Sequence, residues 1–350
     1  MNLSVPEFPR SSVLAVAAAL FVMLATPASQ AQQQETSAFP EYRPDEQVGG
    51  ELTIMGGLET TPLPQELAQA LERLLPNADV RSLQEQSGLT TDWWQYENSV
   101  MLTSARMSEI KLKEFERAMG YEPTALPLAV SAVAVVVKDD NPVAERGLTL
   151  AELDAIFSSS QKRGHADLRF WGELRDDVDG LGRPIRIYGP DDASPLNTYF
   201  HSEVLLNGEF KPGIVRVPVG SVDIVNTIGG SGEENIAVVG DSDGIGFVDA
   251  QALTDQVASI PLTAGDSADQ SVPLTPENVG TMSYPLARFV FLYINRPPDG
   301  ELAELPRELL RFVFSAGGQE LITGSGGGHT RIPEQSVRHW LQQANIDLEQ

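Results

Sequence analysis

The stretch best suited to chemistry is Ile187 to Phe200, IYGPDDASPLNTYF. It reads as a strand end, a polar loop carrying Asp191, Asp192 and Ser194, and a helix start. Such a loop offers backbone N–H groups and a hydroxyl at a helix N-terminus, where the unpaired amides and the helix dipole favour an anion. Asp191 and Asp192 also pose as an acid/base pair, but adjacent side chains rarely reach one substrate atom, and turn formation or capping is their plainer use. Other reactive constellations are weak. His165, His201, His329 and His339 lack metal-ligand spacing, which gives surface or capping roles and no metal. Gly324 to Gly328 is not followed by the Lys-Ser/Thr of a phosphate loop. No serine is read as a nucleophile, and no enzymatic activity or cofactor is expected. Trp93, Trp94 and Tyr96 could wall a sugar or pack between elements.

The elements that must hold the loop follow from the chain's organisation. Arg10, the apolar run Val13 to Leu24, Pro27 and then Ala28-Ser29-Gln30-Ala31 have the order of a secretory signal peptide. The apolar run is shorter than the roughly 20 residues a membrane span needs. Residues 1–31 are expected to be removed after Ala31, which predicts a periplasmic protein, with 32–48 as a flexible tether. There are no cysteines, hence no disulfide, thiolate ligand or lipid-anchor cysteine. The net charge is −25, and the predicted signal segment holds one acid, Glu7, and one base, Arg10, so the remainder keeps −25. That charge repels nucleic acid.

From residue 49 the pattern alternates strand and helix: a strand at Glu51–Met55 into Gly56-Gly57, a helix from Leu63 capped by Thr61, and strands at Ala78–Leu83 and Val100–Thr103. Two long apolar stretches, Ala125 to Lys138 and Tyr284 to Asn295, read as strands buried on both faces. The fold class is α/β: two α/β lobes joined by two crossover strands, a bilobed type II binding-protein architecture. Lobe 1 is assigned 49–136 plus 284–345, and lobe 2 is assigned 137–283. In such an architecture the ligand sits between lobes at converging strand ends, and hinge closure buries it.

Several segments, in order, resemble the periplasmic phosphate-binding protein of ABC phosphate transporters: Asn141-Pro142, Leu148 to Phe157, Trp171-Gly172, Pro184 to Tyr188, Ser194 with Tyr199-Phe200, Gly244 to Phe247, Tyr284-Pro285-Leu286 with Arg288, and Phe314-Ser315 with Gly318-Gln319. The resemblance spans roughly residues 50 to 335 and implies ligand contacts in four loops. Carried onto this chain, they are Thr60, Thr61, Ser87, Gly88, Ser104, Arg106 and Ser194. Several positions depart from the family's pattern. Glu59 intrudes in the first loop, Ala105 stands in the third, and Pro190, Pro195 and Leu196 replace an arginine, a backbone donor and a hydroxyl in the fourth. Each donor lost to a buried anion costs roughly 1.5–3 kcal/mol, so tight phosphate binding is not expected. The implied partners are a small solute, phosphate or another, and an ABC permease; a monomer is expected. The rival reading is the same fold kept as a sensory or protein-interaction module without a transported solute.

Overall fold

Fifteen consecutive residues, Thr124–Lys138, form the strand on which the fold is hung. Its β-branched, apolar sequence suits a strand covered on both faces, and Leu126 and Leu128 to Val137 are buried, Ser131 among them. The computed structural model describes residues 39–85, 92–174, 182–218, 220–233, 236–298, 300–325 and 328–348. The predicted signal segment 1–31, the start of the predicted tether, and Ser87 and Gly88 lie outside them.

In chain order the strands are β1 Gly49–Gly57, β2 Asn77–Glu85, β3 Ser99–Thr103, β4 Thr124–Lys138, β5 Leu148–Thr149, β6 Arg186–Pro190, β7 Val215–Val217, β8 Gly230–Glu233, β9 Ile236–Val239, β10 Gly244–Asp249, β11 Val257–Ser259, β12 Leu262–Thr263 and β13 Ala287–Ile294. The helices are α1 Leu63–Leu74, α2 Glu109–Met119, α3 Val143–Arg146, α4 Leu150–Phe157, α5 Pro195–Glu203, α6 Ser221–Gly229, α7 Pro276–Gly280, α8 Glu304–Val313, α9 Ala316–Gly324 and α10 Glu334–Gln343. The main sheet runs β2-β1-β3-β13-β4-β10-β6-β7, with β11 also on β4.

This order divides at β4. Residues 124–132 pair antiparallel with β13, which in turn pairs with β3, and β1 is parallel to both β2 and β3. Residues 133–138 pair antiparallel with β10 and β11, while β10, β6 and β7 are mutually parallel. The two strand sets are therefore two α/β lobes sharing one strand, the type II binding-protein arrangement. The parallel strands of both sets end toward the middle of β4. Ser131 is the cross-strand partner of Arg288, and Val133 that of Asp249.

The sequence patterns translate with two differences. Thr149 caps α4 in a full capping box with Glu152, as the spacing predicts. Thr61, by contrast, does not cap α1: Pro62 holds the cap position without a side-chain bond, and the Thr61 hydroxyl lies 3.5 Å from the Gly57 carbonyl. Residues 39–48, expected as flexible tether, are packed down. Phe39 and Val48 are buried, Tyr42 lies edge-to-face on Phe312, and its hydroxyl donates to Glu308 at 2.7 Å. An aromatic at each of two positions gives this proline-containing stretch enough apolar surface to dock.

Trp93 and Trp94 resolve as packing. Both lie against Phe115 of α2, at ring distances of 5.6 and 5.3 Å, while Tyr96 is exposed. A second aromatic stack fills the other strand set. Phe200 of α5 lies 3.9 Å from Phe247 of β10, nearly parallel, with Phe157 edge-on to both.

Candidate functional site

The carboxyl ends of β1, β3 and β10 meet the start of β13 in one buried polar cluster. Glu59 follows β1, Ser104 follows β3, Asp249 ends β10, Arg288 opens β13, Ser131 faces Arg288 from β4, and His329 comes from the segment that bridges onto Val130 through Thr330. Arg288 is 4% exposed, Ser104 1% and His329 4%. Arg288 pairs with Asp249 through one terminal nitrogen, and its guanidinium lies over the Tyr199 ring of α5 at 5.2 Å. Asp249 is further tied to α6, since its backbone N–H donates to the Ser221 hydroxyl at 2.9 Å.

Within this cluster several hydrogen-bonding atoms have no partner among the described residues: Arg288 Nε and Nη1, Ser104 Oγ, Ser131 Oγ and both ring nitrogens of His329. Buried polar atoms are almost always satisfied, and leaving one unpaired costs about 1–3 kcal/mol. So many in one place, around a charged guanidinium, form a donor set that suits a small polar ligand.

Burial raises the Glu59 and Asp249 carboxyls above their ordinary values. The Asp249 charge adds to this at Glu59, while hydrogen bonding from the backbone of Glu59 itself and Ser104, and the charge of Arg288, act the other way. His329 is pushed down to about 4, first by burial and then by Arg288, so at neutral pH its ring is uncharged, with one donor and one acceptor.

That depression has a measurable sign. The unfolded imidazole titrates near 6.5, so between pH 6.5 and 4 the unfolded chain binds the extra proton. The stability this group contributes is full above pH 6.5 and is lost as pH falls toward 4, by up to about 3 kcal/mol. Glu59 and Asp249, with raised values, contribute in the opposite direction, more at low pH. Urea titrations of the wild type and His329→Asn from pH 7 to 4 isolate the histidine: the gap between the two unfolding free energies is expected to shift by that amount on acidification. A constant gap would contradict this.

The residues expected from sequence fare unequally. Ser104 lies in the cluster. Thr60 is fully buried beside Glu59, but its hydroxyl donates to the Gly57 carbonyl at 3.0 Å. The Thr61 hydroxyl accepts from Gln84. Arg106, expected as the only nearby positive charge, is exposed and lies over the Phe291 ring at 5.6 Å; the cation within the cluster is Arg288. Ser194 caps α5, its hydroxyl accepting from Leu196 N–H at 3.2 Å. Ser87 and Gly88 lie outside the described residues.

The loop after β6 recovers a guanidinium from another strand. Arg216 of β7 donates to the Pro190 carbonyl at 3.0 Å and to Asn197 at 2.7 Å, and pairs with Asp192 at 2.5 Å. It locks the loop rather than facing the cluster.

Asp249, Ser131 and His329 were not anticipated. A charge or hydroxyl inside an otherwise apolar strand was the available signal: Arg288 before Phe289-Val290-Phe291, and Ser131 between Val130 and Ala132. One further stretch, Gly240 to Gly244, carries the G-x-S-x-G spacing of a nucleophile elbow. It leads into β10 instead of leaving a strand for a helix, and its aspartates pair with Arg186 and Arg183. Two concavities among the described residues lie elsewhere. One of about 640 Å³ is walled by residues 39–43 and α10, and one of about 710 Å³ by Phe170 and Lys211. Neither includes a residue of the cluster.

Two lobes hung on a shared strand, with a buried donor set where their strand ends meet, define a solute-binding protein of the periplasmic type. A family model for the PBP superfamily domain matches residues 28–316, and the chain belongs to that family. It is 31% identical over 314 residues to the phosphate-binding protein PstS of Pseudomonas aeruginosa, covering 89% of this chain and 93% of that protein. Among solved structures it is similar to an ABC-type phosphate transport receptor from Vibrio cholerae (TM-score 0.59, 18% identity, 81% of this chain and all of that one). It is also similar to PstS from Borrelia burgdorferi (TM-score 0.54, 12% identity, 81% of this chain and 99% of that one).

Proposed function

We propose that this chain is the extracytoplasmic solute-binding component of an ABC importer and that its ligand is a small, protonated oxyanion of the phosphate class, held between the lobes. The observation that carries this is Arg288: a buried guanidinium with two unpartnered nitrogens, beside the hydroxyls of Ser104 and Ser131. A guanidinium gives paired charge-assisted hydrogen bonds to an oxyanion. Asp249 gives the site a second requirement. A carboxylate accepts a hydrogen bond from a protonated oxygen and repels a bare one, so phosphate, which keeps a proton at neutral pH, is favoured over sulfate, which does not.

The reading includes export by the segment 1–31 with cleavage after Ala31, lobes bounded at 49–136 plus 284–345 and 137–283, a permease as partner, a monomeric state and no catalysis. It supposes that Ser87 and Gly88 reach the same cleft.

Isothermal titration of the chain from Gln32 with phosphate, arsenate and sulfate tests it. Phosphate and arsenate are expected to compete for one site, with sulfate weaker by at least about tenfold, the factor that about 1.4 kcal/mol supplies. Equal binding of all three would reject the carboxylate-based selection. Silence across the panel would reject the solute-capture reading and favour an interaction module.

A further inference from the structure

The Glu59 side chain does not project from its loop; it folds back onto it. A Cβ built on Gly57 would lie 2.1 Å from Glu59 Oε2, so glycine at 57 is what lets the carboxylate rest against the loop backbone. The residue is 9% exposed. Its carboxylate receives hydrogen bonding from the backbone of Glu59 and Ser104, and it is close enough to Arg288 and Asp249 to feel both charges. An oxyanion binding at this cluster would use the same backbone N–H groups at the ends of β1 and β3, together with the free nitrogens of Arg288.

We propose that Glu59 is a built-in competitor for the anion site, a carboxylate that occupies the ligand's donors until a solute anion displaces it. The inference rests on the oxyanion reading above and deepens it by naming what regulates that site. An ionised Glu59 opposes an incoming anion twice, by filling its donors and by like charge in a buried setting where Coulomb terms are weakly screened. A protonated Glu59 does neither strongly, and it can donate to an oxyanion. Capture is therefore coupled to proton uptake. The groups facing Glu59 set where this happens: Asp249 from β10 raises its proton affinity and Arg288 from β13 lowers it. His329, beside Arg288, stays neutral above about pH 4.

Calorimetric titration with inorganic phosphate at pH 5.5 and pH 8 tests the idea on the wild type, Glu59→Gln and Glu59→Ala. Circular dichroism and thermal melts of each variant establish that it is folded. The wild type is expected to bind more tightly at pH 5.5 than at pH 8. At pH 8 both variants are expected to bind at least about tenfold more tightly than the wild type, as the loss of one opposing buried charge implies. The gap should narrow at pH 5.5, and comparing curves cancels phosphate's own titration. If the wild type binds phosphate and the folded variants bind no better at pH 8, Glu59 is not a competitor, while the oxyanion reading stands. If no form binds at either pH at millimolar phosphate, both ideas fall together.

Discussion

Arg288→Met lowers the unfolding free energy by about 3–5 kcal/mol at pH 8 and abolishes anion binding. The cost comes less from a lost attraction than from what is left behind. Glu59 and Asp249 remain buried near each other with no cation between them, and breaking one side of a buried pair costs this much because the other charge is stranded. Methionine keeps the length and packs against Tyr199, so the void is small. The pH dependence separates this account from a packing defect. As pH falls, the two carboxyls of the variant take up protons and the penalty shrinks; a cavity would cost the same at every pH. Asp249→Asn in the same chain should recover part of the loss, because the two positions are in contact and their effects do not add. Urea titrations at pH 5 and pH 8 read both effects. A loss under about 1 kcal/mol at pH 8 would mean that the cluster is solvated and that its burial does not govern its energetics.

Phe200→Ala is expected to destabilise by a similar amount, about 3–5 kcal/mol, with little pH dependence. Phe200 is fully buried, stacked on Phe247 and edge-on to Phe157. Truncation opens a cavity bounded by two rings that β10 and α4 hold in place, so the site cannot collapse around it. The α5 helix has nine residues and depends on this anchor more than on its own propensity. Tyr199, the next residue, lies under Arg288 and donates to the Ala287 carbonyl at 3.2 Å. Loosening α5 should therefore weaken anion binding, though far less than Arg288→Met. Near-ultraviolet circular dichroism and urea titration check the first part, and calorimetry the second. Equal stability with unchanged binding would show that α5 is held by other contacts.

The contrast between these two residues shows what the sequence made legible. Phe200 lay in a stretch that read as a strand end, a polar loop and a helix start, and the two long apolar segments around residues 130 and 290 were visible as crossover strands. Local patterning suffices where one face of an element is buried. The site was harder to read. Ser104 was found through the resemblance of the third loop, and Glu59 was noticed as an intruder among hydroxyls. Arg288 was quoted only as a mark of resemblance, and Asp249, Ser131 and His329 were missed. They come from strands and a loop spread between residues 131 and 329, and the antiparallel register of β4 with β13 and β10 puts Ser131, Arg288 and Asp249 side by side. Arg106 was carried over from the resemblance of the third loop, but a side chain three residues beyond a strand end can point to solvent, and this one does.

The shared strand also fixes how the Arg288–Asp249 pair must behave when the lobes separate. Arg288 belongs to a strand of the first set and Asp249 to a strand of the second, and β4 passes between them at Ser131 and Val133. A rotation of one set that carried Asp249 away from Arg288 would break the pair. The ion pair ties the two sets together beside the strand they share, and a release of solute that broke it would admit water around both charges. Conditions that steady the separated charges, high ionic strength above all, should then speed exit of the ligand more than they slow its entry.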